Sequence, residues 1–412
     1  MRKIRTNLLT PVSPTESKYL TDHTIIWNAE GIQDIRPFDP ALDGDAENRI
    51  DFLCLPGNID LHTHLSQHRI RGIYEPSLLD WLQNHVYPEE ALFADAGFAD
   101  TLSADFFQAL FAAGTTTSVI YTAPFRQACE LAFSNAKRCG ARAFIGMTLM
   151  DANSPENLKQ TTQQAFNDSV ELYERHHGYN PLLDYIFTPR FALSCSPQLM
   201  SLLGKFIQEN DAWLQTHLSE NPREIREVLN LFGAGSYTQV YEDFGLLSSK
   251  SILAHAIHLS ESEMELLAKR KCKIAHCPDS NFFLKIGEMD WLALEARGVQ
   301  IGLGSDVAAG SSLDMLYHAK MANYRQSAFS LSPERLFHSL TLGNAHLLGL
   351  DHKIGSLEPG KEADLCFRSF PRREIKPEHL LSTLCFCSEE LPVVETVIAS
   401  KTVFSLLEGQ LH

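Results

Sequence analysis

The sequence predicts an α/β protein that consists of a (β/α)8 TIM barrel and a small β-sandwich domain. Short apolar, β-rich runs alternate with helical patterns eight times between residues 55 and 351, as a barrel of strand–helix units requires. Side chains that could bind a metal ion or transfer a proton recur at the ends of these apolar runs. The flanks, 1–54 and 352–412, read as short strands and turns that are too short to bury much surface alone. We therefore expect both flanks to pair into the small β domain.

Each predicted barrel strand precedes a helical pattern, such as SPQLMSLLGKFIQEN after the fourth strand. The clearest boundary follows Glu220, where Asn221 and Pro222 supply a helix cap and a first-turn proline. In chain order the predicted strands are 57–64, 115–123, 142–149, 183–191, 212–220, 251–257, 272–278 and 299–306.

Composition narrows the classes of function. The net charge of -16 disfavours nucleic acid as a partner, because phosphates need Lys and Arg to neutralise them. The N-terminus lacks the apolar stretch of a signal peptide, and no apolar run of about 18 residues is present to span a membrane. The nine cysteines form no C-x-x-C pair, which is typical of reduced thiols. We expect a cytoplasmic protein in which Cys385 and Cys387 share one face of a strand.

The stretch NIDLHTHLSQ, residues 58–67, places His62 and His64 on one face at the end of the first predicted strand. An H-x-H pair alone is weak evidence in a chain with 17 histidines. His217 and Asp306, however, lie at the ends of the fifth and eighth predicted strands, and such ends converge on one site in a barrel. Three imidazole nitrogens and one carboxylate oxygen suit Zn²⁺ and leave a position for water. The sequence therefore predicts a zinc site at these four residues.

Two further residues at strand ends, Glu220 and His255, could move protons. Glu220 follows His217 by three residues, where a carboxyl group that is not a ligand could pass a proton to a substrate nitrogen. His255 could donate to a forming oxyanion or to the water. Asp306 could take the first proton of that water, whose pKa zinc lowers to about 7. The competing interpretations are a solvated loop glutamate for Glu220 and a buried core histidine for His255.

Several absences restrict the metal chemistry. The fourth strand end, FTPRFALS, contains no lysine, whereas two-metal barrels usually carry a carbamylated lysine there, so we expect one ion per chain. The H-x-E and P-C-x-x-C signature of the other zinc deaminase fold is missing from the sequence. The H-E-x-x-H motif of zinc proteases is missing as well. A purely structural zinc is disfavoured, because structural sites are closed by four ligands and have no use for an adjacent acid.

Four residues predict a slot for a flat heterocycle with polar edges. Gln67 carries an amide that both donates and accepts, and Arg190 offers a planar fork of donors. Phe191 and Trp81 could sandwich a ring between them. Each of these aromatic residues is also explained by core packing, so the prediction depends on the four acting together.

Motifs spread along the chain resemble those of a known superfamily. PGNIDLHTHLSQ, HLSE, AHCPDSN and GLGSDVAAG resemble the deaminase and chlorohydrolase branch of the amidohydrolase superfamily. Within it, the resemblance narrows to the guanine deaminase family. It rests there on LLDWLQNHVYPEE (78–90), AAGTTTSVIY, TPRFALSCS (188–196), THLSEN and IGSLEPGKEADL, and it runs from about residue 50 to residue 370.

The resemblance implies hydrolytic deamination of guanine to xanthine and ammonia in purine catabolism, with a metal-activated water attacking C2 and Glu220 as the proton shuttle. It implies a homodimer and one zinc ion per chain, with iron as the alternative metal. It implies a catalytic role for His255. The zinc ligands fall on His62, His64, His217 and Asp306, and the guanine contacts fall on Gln67, Arg190, Phe191 and His217.

Two loops depart from the family pattern. FFLKIGEM follows CPDSN where a small-residue turn is expected near 285–287, and DVAAGSS has alanine where glycine is common. Both loops flank the expected pocket, so they bear on substrate fit. The alternatives that stay open are a related aminohydrolase or triazine chlorohydrolase acting on another planar heterocycle, and a barrel that binds without catalysis.

Overall fold

The computed structural model describes residues 1–371 and 373–407, which form a mixed α/β fold with parallel sheets. The strands, in chain order, are β1 (Arg2–Ser13), β2 (Glu16–Asn28), β3 (Gly31–Pro37), β4 (Glu47–Pro56), β5 (Asn58–His64), β6 (Thr115–Thr122), β7 (Arg142–Leu149), β8 (Leu183–Tyr185), β9 (Thr188–Pro189), β10 (Leu214–Leu218), β11 (Ser251–His255), β12 (Lys273–His276), β13 (Gln300–Leu303), β14 (Leu365–Ser369), β15 (Val393–Ile398) and β16 (Lys401–Ser405).

The α-helices mostly follow the parallel strands. They are α1 (Pro40–Asp43), α2 (Leu78–Trp81), α3 (Tyr87–Ala91), α4 (Ala96–Ala112), α5 (Arg126–Cys139), α6 (Thr162–His176), α7 (Pro197–Asn210), α8 (Pro222–Phe232), α9 (Tyr237–Asp243), α10 (Glu261–Arg270), α11 (Pro278–Phe283), α12 (Trp291–Ala296), α13 (Met315–Tyr324), α14 (Pro333–Ser339), α15 (Leu342–Leu347) and α16 (Leu380–Phe386).

A strand occurs at each of the eight predicted places, but the prediction of one continuous fourth strand is wrong. The predicted strand 183–191 is split into β8 and β9, because the chain bends between them. At the bend, the Phe187 N–H donates to the Trp213 carbonyl over 2.9 Å instead of continuing the ladder with β7. The bent segment crosses Gly146, where a Cβ atom would come within 2.1 Å of the Ile186 oxygen. Glycine is therefore needed for this close approach.

Two parallel sheets form the centre of the fold. One has the order β5-β6-β7-β8, with β9 also paired to β7, and the other has the order β10-β11-β12-β13. Every residue of β5, β6 and β7 is buried. Both faces of these strands are therefore covered, as is usual for parallel sheets. All carboxyl ends within each sheet lie at the same edge.

The two parallel sheets touch each other at both of their outer strands. A parallel bridge between Phe187 and Leu214 joins the end of the first sheet to β10. On the other side, the Asp306 N–H after β13 donates to the His62 carbonyl of β5 over 2.8 Å. Ser305 N–H donates to a carboxylate oxygen of Asp60 over 2.9 Å at the same place. The carboxyl ends of both sheets therefore face one common space.

Strands from both flanks lie in one sheet. They form one seven-stranded sheet in the order β16-β15-β14-β4-β1-β2-β3. A separate small core packs on this sheet; its buried members include Ile4, Leu8, Ile25, Trp27, Ile32, Leu365, Phe367 and Val397. The second layer of the expected sandwich stays a prediction.

A buried ion pair connects the two flanks. Glu395 of β15 is 2% exposed and accepts hydrogen bonds from Arg49 of β4 and, over 2.6 Å, from Arg2 of β1. We expect Glu395→Gln to lower the free energy of unfolding by roughly 3 kcal/mol, because it removes the buried carboxylate partner of Arg49 and leaves only the exposed Glu47 beside this arginine. Glu47→Gln is the control, since Glu47 pairs with the same arginine but is 45% exposed and should cost less than about 1 kcal/mol. Equal urea midpoints for the two variants would contradict this account.

The cysteines differ from expectation in one detail. Cys385 lies in α16 and Cys387 follows that helix, so the prediction of a shared strand face is wrong. A helix forms here because the run LLSTLCF packs Leu380 and Leu384 into the core at helical spacing. All nine cysteines are free thiols. Within residues 1–371 and 373–407, we find no helix with the length and apolar character needed to cross a membrane.

Candidate active site

The polar residues at the strand ends meet at one edge of the parallel sheets. His62 and His64 belong to β5, His217 to β10 and His255 to β11, and Asp306 follows β13. The chain turns sharply at two of these ends, where His255 and Asp306 have φ values of 71° and 48°. Such left-handed backbone is rare for residues other than glycine and is concentrated at functional sites. The backbone at these two strand ends is therefore of the kind found at functional sites.

Four side chains form a compact cluster of donor atoms. Nε2 of His64 lies 3.2 Å from Nε2 of His62 and 3.3 Å from Nε2 of His217. Oδ1 of Asp306 lies 3.1 Å from the His62 nitrogen and 3.2 Å from the His64 nitrogen. In a tetrahedral site with bonds of about 2.1 Å, neighbouring ligand atoms stand roughly 3.4 Å apart. The spacing of the four atoms therefore fits one divalent metal ion.

The protonation states also suit metal binding. Burial lowers the pKa of His64 to about 3 and the pKa of His217 well below its ordinary value, so both rings are neutral. Burial opposes the ionisation of Asp306, but hydrogen bonds with His62 and His64 outweigh it and hold the pKa of this carboxyl well below its usual range. Nδ1–H of His217 donates to the Arg190 carbonyl over 2.6 Å, so Nε2 keeps its lone pair for the cluster. Neutral imidazoles and a carboxylate are the forms that bind metal.

Two further titratable side chains lie beside the cluster. Nε2 of His255 lies 3.7 Å from Oε1 of Glu220 and 3.8 Å from Oδ2 of Asp306. Burial, together with the charge of Asp306, raises the pKa of Glu220 well above its ordinary value, so this carboxyl can hold a proton. Glu220 is only 6% exposed, which rules out a solvated loop glutamate. Nδ1 of His255 lies 2.9 Å from Oδ1 of Asn281, which fixes the plane of the ring.

One pocket opens onto the cluster and contains every substrate-binding residue that the sequence predicts. A larger open groove between α5 and α6 touches none of the cluster residues, so we place the chemistry in the smaller pocket. Its walls are formed by His64, Gln67, Leu78, Trp81, Leu82, Arg190, Phe191, His217, Glu220, His255, Leu284, Asp306 and Ala309.

Neighbouring groups orient the polar atoms in the pocket walls. Arg190 Nη1 donates to Glu90 Oε2 over 2.7 Å, and Gln67 Nε2 donates to Glu90 Oε1 over 3.1 Å. Trp81 Nε1 donates to the Ile73 carbonyl over 2.8 Å, so this indole offers a bound molecule only its apolar surface. The pocket therefore combines fixed polar groups with apolar walls, as sites for small molecules generally do.

Sequence reasoning missed several residues of the site. The apolar wall residues Leu78 and Leu82 and the buried Glu90 all belong to LLDWLQNHVYPEE, a stretch that was informative only as a motif of the resemblance. Leu284 and Ala309 also line the pocket, and they come from the two loops that depart from the family pattern. These two positions are therefore where this chain's pocket can differ from that of its relatives.

Glu224 gives the site a neighbour that titrates near neutrality. It completes the capping box of α8, where the Asn221 N–H donates to Oε2 over 3.1 Å and the Tyr237 hydroxyl donates to Oε1 over 2.7 Å. Burial raises the pKa of Glu224 from 4.5 to about 7. A raised folded-state pKa stabilises the fold fully below the unfolded pKa of 4.5, and that contribution is lost as pH rises through about 7.

We expect Glu224→Gln to remove this pH dependence. Between about pH 5 and about pH 8, the free energy of unfolding should fall by roughly 2–3 kcal/mol more in the wild type than in the variant. Urea denaturation at both pH values measures the difference. Glu227→Gln, on the exposed side of the same helix, should follow the wild type. A Glu224→Gln protein that loses stability in parallel with the wild type would overturn this assignment.

Known proteins are similar to this chain in sequence and in fold. The model of the Amidohydrolase family matches residues 53–403. The guanine deaminase of Escherichia coli (strain K12) is 36% identical over 316 residues, which cover 76% of this chain and 72% of that protein. The solved structure of E. coli guanine deaminase superposes with a TM-score of 0.93 at 28% identity, covering 98% of this chain and 100% of that one.

A second solved structure is the guanine deaminase from C. acetobutylicum, which holds guanine in its active site. It superposes with a TM-score of 0.89 at 27% identity and covers 98% of this chain and 100% of that one. The family model spans most of the chain, and the bacterial relative is similar over nearly three quarters of its own length. The chain therefore belongs to the amidohydrolase family, in the group that contains the guanine deaminases.

Proposed function

We propose that this protein catalyses the hydrolytic deamination of guanine to xanthine and ammonia. The observation that carries the proposal is one buried pocket in which a three-histidine, one-aspartate cluster, a protonatable Glu220 and the polar edge of Arg190 and Gln67 meet. The relatives named guanine deaminase support it, including the one whose structure holds guanine. The reaction needs three things: a metal site that activates water, an acid that protonates the ring, and polar groups that orient the ring.

We infer that the cluster holds one zinc ion per chain, with iron as the alternative. The ligands are His62, His64, His217 and Asp306, and no lysine follows the fourth strand to bridge a second ion. A bound zinc ion supplies a water molecule whose pKa is lowered to about 7. The free oxygen of Asp306, 3.8 Å from His255, is placed to receive a proton from that water.

The protein's own side chains manage the protons of the reaction. Glu220 gives its proton to the ring nitrogen next to C2, so no negative charge builds up on the ring while the water oxygen bonds to C2. His255, which lies between Asp306 and Glu220, forms a hydrogen bond with the new oxygen, and the proton that Asp306 took from the water returns by way of His255 to Glu220. The hydroxyl proton left on C2 then passes to the amine, the C–N bond breaks, and ammonia leaves. Guanine and water thus give xanthine and ammonia.

The pocket walls orient the purine. Arg190 donates hydrogen bonds to a ring carbonyl or ring nitrogen, and the amide of Gln67 forms hydrogen bonds with the neighbouring edge of the purine. Phe191 and Trp81 cover the flat faces of the ring, and His217, a member of the cluster, also faces the substrate. A purine whose edge does not match leaves buried polar groups unpaired and is rejected.

We also propose the finer architecture that the sequence predicts. The contacts at both outer strands support closure of the two parallel sheets into one (β/α)8 barrel over 55–351. The seven-stranded sheet supports a small β domain built from 1–54 and 352–412. Nine free thiols support a cytoplasmic location, and gel filtration tests the homodimer that the resemblance implies.

Ammonia release from a panel of heterocycles tests the proposed function. The zinc-loaded protein is mixed with guanine, adenine, cytosine or an aminotriazine, and ammonia is measured over time. Release from guanine at a rate far above that from the other three supports the proposal. Release from another heterocycle but not from guanine would instead assign the chain to a related aminohydrolase.

A further inference from the structure

Glu90 is a buried carboxylate behind the pocket wall that the proposed chemistry does not use. It lies in α3 and is fully buried, outside the residues that form the pocket surface. Its Oε2 accepts from Arg190 Nη1 over 2.7 Å. Its Oε1 accepts from Gln67 Nε2 over 3.1 Å and from the Ser66 hydroxyl over 3.3 Å. One carboxylate therefore holds both polar residues of the substrate edge.

The contact determines what Arg190 presents to a bound molecule. Arg190 is 3% exposed, and its guanidinium lies 5.3 Å from the centre of the Tyr87 ring. Water therefore does not solvate its positive charge. Glu90 compensates that charge and occupies one end of the fork. The remaining N–H groups can only donate, because a guanidinium has no acceptor. Arg190 therefore matches a ring carbonyl and disfavours a ring amine at the same place.

The same carboxylate fixes the orientation of the Gln67 amide. An ionised carboxylate only accepts hydrogen bonds, so the NH₂ end of Gln67 must face Glu90. The amide oxygen then lies on the other side, 3.5 Å from the Ala308 N–H. Without Glu90, the amide could turn over and exchange its donor for its acceptor. Glu90, which is not itself in the pocket wall, thus determines the pattern of hydrogen-bond donors and acceptors that the substrate meets.

We propose that Glu90 is a positioning residue that sets the substrate specificity of this pocket. By holding the guanidinium of Arg190 in place and Gln67 in one orientation, it selects purines that carry a ring carbonyl, as guanine does, over purines that lack one. This inference rests on the proposed guanine deamination. Glu90 acts through Arg190 and Gln67 and does not touch the reacting atoms.

Steady-state kinetics on two substrates test the role. Guanine and 2-aminopurine carry the same amine on C2, but 2-aminopurine lacks the carbonyl. We expect Glu90→Asp, which keeps the charge but withdraws the carboxylate, to raise KM for guanine roughly tenfold to a hundredfold with kcat changed less than about threefold. KM for 2-aminopurine should change less than about threefold, so the preference for guanine narrows. Equal losses on both substrates would overturn the proposal.

Two further variants separate positioning from general damage. Glu89→Gln is the matched control: Glu89 is the adjacent residue, accepts from Arg69 over 2.9 and 2.8 Å, and should leave the preference for guanine unchanged. In an Arg190→Gln background, Glu90→Gln should reduce kcat/KM for guanine by less than about threefold, because its main partner is already gone. A full, additive loss there would overturn the proposal.

Turnover of guanine by the wild-type protein separates a failure of the proposed function from a failure of the role proposed for Glu90. A wild-type protein that does not turn over guanine refutes the proposed function, and the inference about Glu90 falls with it. A wild-type protein that is active on guanine, with a Glu90→Asp variant that keeps the full preference over 2-aminopurine, refutes the role of Glu90 alone. Zinc content, measured in parallel, should be the same in every variant.

Discussion

Glu220→Gln should lower kcat for guanine by roughly 10²- to 10⁴-fold while KM changes only a few-fold. The substitution keeps the size and hydrogen-bonding shape of the side chain but removes the proton that passes to the ring nitrogen. Glu220 holds that proton because burial and the charge of Asp306 raise its pKa. Xanthine formation under saturating guanine measures kcat, and metal analysis checks that zinc remains bound.

The control for this variant is Glu227→Gln, because Glu227 lies in the following helix α8 and is 40% exposed. It should retain wild-type kcat and KM. The proton-shuttle role is wrong if Glu220→Gln keeps a wild-type kcat. It is equally wrong if the variant loses activity only in proportion to lost zinc, since Glu220 would then act on metal binding.

Removal of the metal should abolish turnover. A strong chelator is expected to reduce guanine deamination at least about 10³-fold, because without the ion no water of lowered pKa is available. Zinc added back should restore the rate in proportion to the ions bound. His64→Ala should bind less than a tenth of the wild-type zinc by elemental analysis, because it removes a ligand at the centre of the cluster.

A histidine outside the cluster provides the matched control for the ligand variant. His68 follows His64 by four residues and packs against Phe106, with ring centres 5.5 Å apart. His68→Gln should keep full zinc content and activity. Metal-free protein that still deaminates guanine at the wild-type rate would rule out a metal-dependent reaction.

The sequence predicted the strands and their polar ends because both depend on local patterns. Apolar runs bounded by capped helices located all eight strands, and both bounds of the third, Arg142–Leu149, agree with the structure. The break between β8 and β9 was not predictable in this way. It depends on Gly146, which lies in another strand and permits the close approach of the bent segment.

The same distinction separates the predicted and the missed residues of the site. His62, His217 and Asp306 stand at strand ends, which the two parallel sheets bring to one common edge whatever the loops do. Glu90 acts through Arg190, a residue 100 positions away, and lies on a short helix with no periodic signal. A contact of this kind depends on how the loops after two strands fold over the pocket, which periodicity and spacing do not encode.

Deamination of guanine in water enriched in heavy oxygen tests the central claim most directly. The zinc-loaded protein should release one ammonia per guanine and form xanthine that carries one heavy oxygen atom, located at C2. That result would show that water attacks the amine-bearing carbon, as the arrangement of Glu220, His255 and the cluster residue Asp306 requires. Guanine that stays unchanged, or xanthine without the label, would contradict the proposed function.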